Sequence, residues 1–178
     1  GLWNIGVEGQ LVVGAIAATF AAREMPGPSI ALIPACLVAG MVGGVLWAAL
    51  VGALKTRGKV NEIFGGLGLD FVASGLAVYL IIGPWKRAGI ASTSGTDLFR
   101  EQAHLPTFAN TTLSFVAVGL AIAGVVAVYL LMRGTLFGLR LKAVGRNPRS
   151  AFLMGIPTER YVIGAFAICG ALAGLAGA

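Results

Sequence analysis

Glu8 and Asp70 are the two carboxylates that stand inside apolar, helix-length stretches of this 178-residue chain, and Asn4 and Gln10 bracket the first of them. A carboxylate or amide in such surroundings has three tasks open to it: hydrogen-bonding a polar solute, coupling solute movement to a proton or cation, or pairing with a neighbouring helix. Glu8 falls in a first helical turn, where unpaired backbone N–H groups favour negative charge, so a purely structural role is also open to it. Asn4 is placed to cap that helix, and Gly6 and Gly9 let a backbone or a solute come close. Asp70 lies about 10 Å along a helix that begins near Ile63, and serves equally as lining or as a structural partner. No nucleophile, base and orienting acid stand together, which disfavours an intramembrane enzyme. His104 has no Cys or His at ligand spacing, and Cys36 and Cys169 fit as small apolar residues.

The elements that must position these residues follow from composition. The chain holds 13 Lys and Arg against 7 Asp and Glu, a net charge of +6, with 57% apolar residues, 27 Gly and 11% charged residues. A soluble domain carries roughly 25% charged residues; here the mean hydropathy is +0.89, and lipid is the main solvent. Disordered chains, disulfide scaffolds and nucleic-acid binders are excluded by the same figures. No Asp, Glu, Lys or Arg occurs from Met25 to Leu54 or from Gln102 to Met132. Neither run alternates with the period of two that a barrel strand needs, so both predict membrane-crossing helices.

Five spans are expected, near Glu8–Ala22, Ser29–Leu54, Ile63–Trp85, Thr111–Met132 and Thr158–Ala178. The fold class is all-α, a polytopic bundle forming one domain over residues 1–178, with both ends reading as cut from a longer bundle. Gly65, Gly66 and Gly68 are expected to loosen the start of the third span. Gly40 with Gly44, and Gly170 with Gly174, are spaced for close helix crossing. One set of alternate loops holds nine Lys and Arg (Lys55, Arg57, Lys59, Arg133, Arg140, Lys142, Arg146, Arg149, Arg160), and the other holds four (Arg23, Lys86, Arg87, Arg100). Cytoplasmic loops collect the excess. The first span therefore runs outward, and the Lys86–Thr107 loop faces outside with Trp85 at its membrane edge.

The inward loop over residues 134–157 carries the most structured polar stretch. Asn147 is a good N-cap, Pro148 suits the first helical position, and Gly155 can take the left-handed stop, so a two-turn helix is predicted there. Arg146 and Arg149 supply charge while Ala151, Phe152 and Met154 offer apolar contacts. A solvated, positively charged loop or a docking element for a soluble partner would both look like this.

The stretch Arg140-Leu141-Lys142-Ala143-Val144-Gly145-Arg146-Asn147-Pro148, then Gly155-Ile156 and the small-residue helix from Gly170 to Ala178, resembles permease subunits of ABC importers for simple sugars, nucleosides and branched-chain amino acids. Asn4-Ile5-Gly6-Val7-Glu8-Gly9-Gln10 is similar to the opening motif of the nucleoside and simple-sugar branch. Val60-Asn61-Glu62-Ile63 and Arg133-Gly134-Thr135-Leu136-Phe137-Gly138 fit the same pattern in order, so the resemblance covers nearly the whole chain. Asp70 departs from it, standing where a neutral residue such as Asn is expected.

The resemblance implies a multi-pass subunit of the inner (cytoplasmic) membrane, surrounded by lipid, that moves a nucleoside or simple sugar by alternating access. It implies a coupling helix at Pro148–Met154, with Arg146, Asn147, Pro148, Arg149, Phe152 and Gly155 as the coupling residues. Asn4, Glu8, Gln10 and Asp70 are the substrate-path candidates. It further implies cytoplasmic ATPase partners that hold ATP and Mg, a second permease subunit and an extracytoplasmic solute-binding protein. This chain has no G-x-x-x-x-G-K-[ST] phosphate loop, so no cofactor is expected on it and the energy must arrive from another chain. Other readings stay open: a branched-chain amino acid permease, an ion-coupled secondary transporter using Glu8 and Asp70, or an assembly subunit with no solute path.

Overall fold

The computed structural model describes residues 3–87, 96–100, 103–107 and 114–178. Among these, seven helices follow in order: α1 Val7–Glu24, α2 Ser29–Thr56, α3 Glu62–Ile82, α4 Phe115–Gly134, α5 Leu136–Arg146, α6 Pro148–Leu153 and α7 Thr158–Gly177. Local chemistry sets several starts. The Asn61 side chain accepts the Ile63 N–H at 2.9 Å and opens α3, and Thr135 Oγ1 accepts the Gly138 N–H at 3.0 Å and opens α5. The polar N-caps satisfy N–H groups that have no partner within the helix. The start of the fourth expected span, Thr111 to Leu113, lies outside the described residues, as does part of the Lys86–Thr107 loop.

Four helices, α2, α3, α4 and α7, are long and apolar enough to cross a membrane, one fewer than the five expected. The exception is α1, which runs for 18 residues and carries Glu8, Arg23 and Glu24 near its ends. Those three charged residues, not its length, set it apart from the four spans. Gly6 meets Gly66 of α3, Gly9 meets Trp47 of α2 and Asp70 of α3, and Val13, Gly14 and Ala17 meet Gly43 of α2. These pairings run α1 antiparallel to α2 and parallel to α3. They also set its first turn level with residues well inside those helices, so α1 covers only part of the length of α2.

Backbone contact between glycines holds the centre. A Cβ on Gly44 would overlap the Gly170 carbonyl, one on Gly174 would overlap the Gly40 carbonyl, and one on Gly14 would overlap the Gly174 backbone. Three helices therefore approach to backbone distance, α2 antiparallel to α7, as the spacing of four predicts. Towards the Thr56 end of α2 this seam becomes a small side-chain core of Ala48, Val51 and Phe166, with Leu69 and Val162 against it. The glycines at the start of α3 do not loosen it. The helix is continuous from Glu62, and Gly66 is spent on the contact with Gly6.

The two ends of the bundle differ in charge as the loops predict. Arg23 lies over the Trp85 ring at 5.7 Å and ties the α1–α2 connection to the end of α3. At the opposite, basic end, Lys55 pairs with Glu62, and Arg57 pairs with Glu159 at 3.0 Å. Helix α4 stands apart: none of its residues is buried. An apolar cleft of about 680 Å³ separates it from α2 and α7, lined by Leu37, Leu120, Gly124, Val128, Leu172 and Leu175 among others.

The glycine seam makes a prediction. Gly174→Leu must force backbones apart and is expected to cost about 3 kcal/mol or more of stability. Gly75→Ala, at a position with open space around it, should be neutral or slightly stabilising. Thermal denaturation of the two variants in detergent, followed by size-exclusion chromatography, checks this; equal melting would contradict the seam.

Candidate functional site

Two groups of polar residues stand out, one inside the bundle and one at its basic end. The inner group forms where the chain approaches α1. Asn4 does not cap that helix: the N-cap position is Gly6, with no side-chain bond. The Asn4 amide instead turns across the bundle. Its Nδ2 donates to Gln10 Oε1 at 3.1 Å, its Oδ1 accepts from Gln10 Nε2 at 3.1 Å, and Nδ2 also donates to Cys169 Sγ of α7 at 3.0 Å. Gln10 is fully buried, and this reciprocal pairing satisfies an amide that would otherwise be costly to bury. Cys169, expected to act as a small apolar residue, is the acceptor that anchors the group to α7.

Asp70 belongs to the same level. Its Oδ1 accepts the backbone N–H of Gly9 at 2.7 Å, one of the N–H groups that a helix start leaves unpaired. The glycine is required, because a Cβ at position 9 would come within 2.5 Å of that oxygen and 3.0 Å of Trp47 Nε1. The Trp47 indole N–H is buried there without a hydrogen-bond partner. Sequence reasoning passed over Trp47, reading it as one more apolar residue of a long span. Glu8 points away and is exposed, so the structure brings Asn4, Gln10 and Asp70 towards one region and leaves Glu8 at its margin.

The depth of this group follows from helix rise. Counting about 1.5 Å per residue from the basic ends of α3, α2 and α7 puts Gly66 about 6 Å in, Asp70 about 12 Å, Trp47 about 14 Å and Cys169 about 16 Å. The hydrocarbon core is about 30 Å thick. Of the non-helical residues that lead into α1, Trp3 and Ile5 are exposed while Asn4 is half-buried and Gly6 buried.

The second group is the short helix at the basic end. Asn147 Oδ1 accepts the Ser150 N–H at 3.1 Å, Pro148 occupies the first turn, and Gly155 takes φ +77°. The Ile156 N–H then bonds the Ala151 carbonyl at 3.0 Å. The start and stop read from the sequence are the ones used. Ala151 is buried beneath the helix, while Phe152, Leu153 and Met154 are 66%, 80% and 79% exposed. Arg149 is exposed beside them, and Arg146 borders a neighbouring hollow with Lys55, Glu62 and Glu159.

Preceding it is an element the sequence reading treated as loop, α5. It is braced on α7 by the Phe137–Tyr161 ring pair, with centroids 5.2 Å apart, and by the Arg140 bond to Tyr161 Oη at 3.2 Å. A Phe, Leu and Val at spacings of four and three, Phe137, Leu141 and Val144, is the signal that marks it as helical. Among the described residues no cluster of His, Cys, Asp and Glu could hold a metal ion.

The sequence has relatives among known proteins. A glucose ABC transporter permease protein of Haloferax volcanii is 36% identical over 99% of this chain and 49% of its own length. A guanosine ABC transporter permease protein of Bacillus subtilis is 31% identical over 100% of this chain and 51% of its own. A nucleoside ABC transporter permease protein of Lactococcus lactis is 28% identical over 99% and 51%. The chain spans about half the length of these relatives. No solved structure matches it. The family model described as the branched-chain amino acid transport system permease component matches residues 1–178, and the chain belongs to that family.

Proposed function

We propose that this chain is part of the permease subunit of an ATP-driven importer, and that the mid-depth group of Asn4, Gln10 and Asp70 marks the solute path. The observation that carries the reading is the paired amide of Asn4 and Gln10, held at membrane depth against Cys169. Such amides can tie helices together, and intramembrane polar groups also mark solute pathways by default. In the present conformation the pair is closed on itself. Parting α1 from α7 would free both amides, offering donors and acceptors to a solute hydroxyl or base.

The chemistry favours a neutral, hydroxyl-rich solute. Asp70 supplies an acceptor, while no Lys or Arg lies within residues 25–54, 63–85 or 161–178 to pair with an amino acid's carboxylate. Sugars and nucleosides fit this set better than branched-chain amino acids. The glucose, guanosine and nucleoside permeases among the relatives support the same class.

The sequence has no G-x-x-x-x-G-K-[ST] motif, and on this reading ATP and Mg belong to a cytoplasmic ATPase partner. On this reading α6 is the element that partner holds. Its Phe152, Leu153 and Met154 are apolar and exposed at the basic, cytoplasmic end, and Ala151 seats it on the bundle. A second permease subunit and an extracytoplasmic solute-binding protein complete the assembly, in the inner membrane.

Two experiments test the reading in vesicles containing the intact permease and its ATPases. Asp70→Asn keeps an acceptor for the Gly9 N–H but removes the charge; if Asp70 meets the solute, half-saturation for uptake should rise about tenfold, the loss of one hydrogen bond to a charged group. Wild-type affinity and rate would remove Asp70 from the path. Phe152→Asp should leave the bundle folded and ATP hydrolysis running while uptake falls by about tenfold or more, a deficit of 1.4 kcal/mol or above. Unchanged uptake would rule out α6 as the docking element.

A further inference from the structure

One surface is used neither by the bundle nor by the proposed docking of α6: the outward side of α5. Its inward side is accounted for by Phe137, stacked on Tyr161 of α7, and by the buried Val144. On the other side Leu136 is 71% exposed and Leu139 is 64% exposed. At about 100° per residue, Leu136, Leu139 and Ala143 share an arc of about 60°. Arg140 borders that arc on one side, and Arg146 and Lys142 border it on the other. The helix therefore carries a second apolar stripe, opposite the first and edged with cations along both sides.

Charge defines what can cover it. No Asp or Glu occurs between Glu101 and Glu159, and Lys142 and Arg146 form no ion pair or hydrogen bond with any described residue. A shallow hollow of about 520 Å³ lies on this face, bordered by Leu139, Lys142, Ala143, Gly145 and Arg146. Its occupant must be apolar at the centre and anionic at the rim. Position narrows the choice further, because α5 starts two residues after Gly134 closes the membrane helix α4. Its first turn is fixed at the membrane surface.

We propose that the outward face of α5 lies in the lipid interface at the basic end and binds anionic phospholipid headgroups. Leu136 and Leu139 enter the acyl boundary while Lys142 and Arg146 reach the phosphates and Arg140 stays on Tyr161 of α7, the arrangement of an interfacial amphipathic helix. Neighbouring α6 differs in kind. Its exposed Phe152, Leu153 and Met154 are contiguous and have Arg149 as their one basic neighbour on the helix, which suits a protein groove instead. The proposal concerns lipid and does not depend on which solute is carried.

The test uses the intact permease with Cys36→Ala, Cys169→Ser and Leu139→Cys, labelled at position 139 with an environment-sensitive fluorophore. It is placed in vesicles of mixed phosphatidylcholine and phosphatidylglycerol, with bromine quencher on one lipid at a time. Brominated phosphatidylglycerol should quench more strongly than brominated phosphatidylcholine, and added salt should narrow the difference. Adding Lys142→Gln and Arg146→Gln should reduce the preference by up to about fivefold per base removed, the equivalent of about 1 kcal/mol each. Quenching by neither lipid would show the face covered by protein or water and overturn the proposal. Equal quenching by both lipids, or a preference that survives the two substitutions, would overturn it as well.

Discussion

Backbone-to-backbone contact among glycines of α1, α2 and α7 is the constraint on which the rest of the structure depends. In lipid there is no hydrophobic drive to press helices together, so association relies on close packing and on hydrogen bonds between helices. Gly14, Gly40, Gly44, Gly170 and Gly174 remove the side chains that would hold the axes apart. Once the axes are that close, polar groups on α1 can reach α7. Asn4 then meets Cys169, and Gln10 is sealed in the seam. The same closeness between α1 and α3, through Gly6 and Gly66, presents the Gly9 N–H to Asp70. A polar group of this kind would be unsupportable in a loosely packed bundle.

Helix α7 links the two ends chemically as well as in the chain. Its first turn pairs with Arg57 through Glu159 and stacks on α5 through Tyr161. Its middle holds Cys169 and the glycines that face α2 and α1. In the proposed cycle, a partner that shifts α6 acts on the start of α7, and a rigid helix carries that displacement to the amide pair about 16 Å along it. The exposed Arg57–Glu159 pair contributes little stability on its own. Its consequence is geometric, since it ties the α2–α3 connection to the element that moves.

Much of this was legible in the sequence. Asn147, Pro148 and Gly155 specify a short helix by local rules alone, and the structure uses each as those rules state. The Gly40, Gly44, Gly170 and Gly174 spacing names the seam, and Arg23 and Trp85 meet at one end of the bundle, as their assignment to one set of loops requires. What was not legible depends on packing between distant segments. Asn4 reads as a cap because capping is the local option, yet Gln10 and Cys169 outcompete it. Gly65, Gly66 and Gly68 read as weakness because their low helix propensity is local, whereas the partner that uses Gly66 is Gly6. Trp47 is ordinary in sequence, and its unpartnered N–H emerges only from its surroundings. Helix α1 reads as a full span because apolarity does not reveal the depth at which a helix begins.

That depth is the central claim, and one cross-link tests it. With Cys36→Ala to remove the other thiol, Asn4→Cys should form a disulfide with native Cys169 under mild oxidation of the intact permease in membranes, since the two side chains touch at 3.0 Å and a disulfide demands such proximity. Efficient cross-linking, lost when Cys169 is replaced by Ser, is the predicted result. Absence of the cross-link, together with ready labelling of Asn4→Cys by a membrane-impermeant reagent at the cytoplasmic face, would place the start of α1 at the membrane surface and contradict the account.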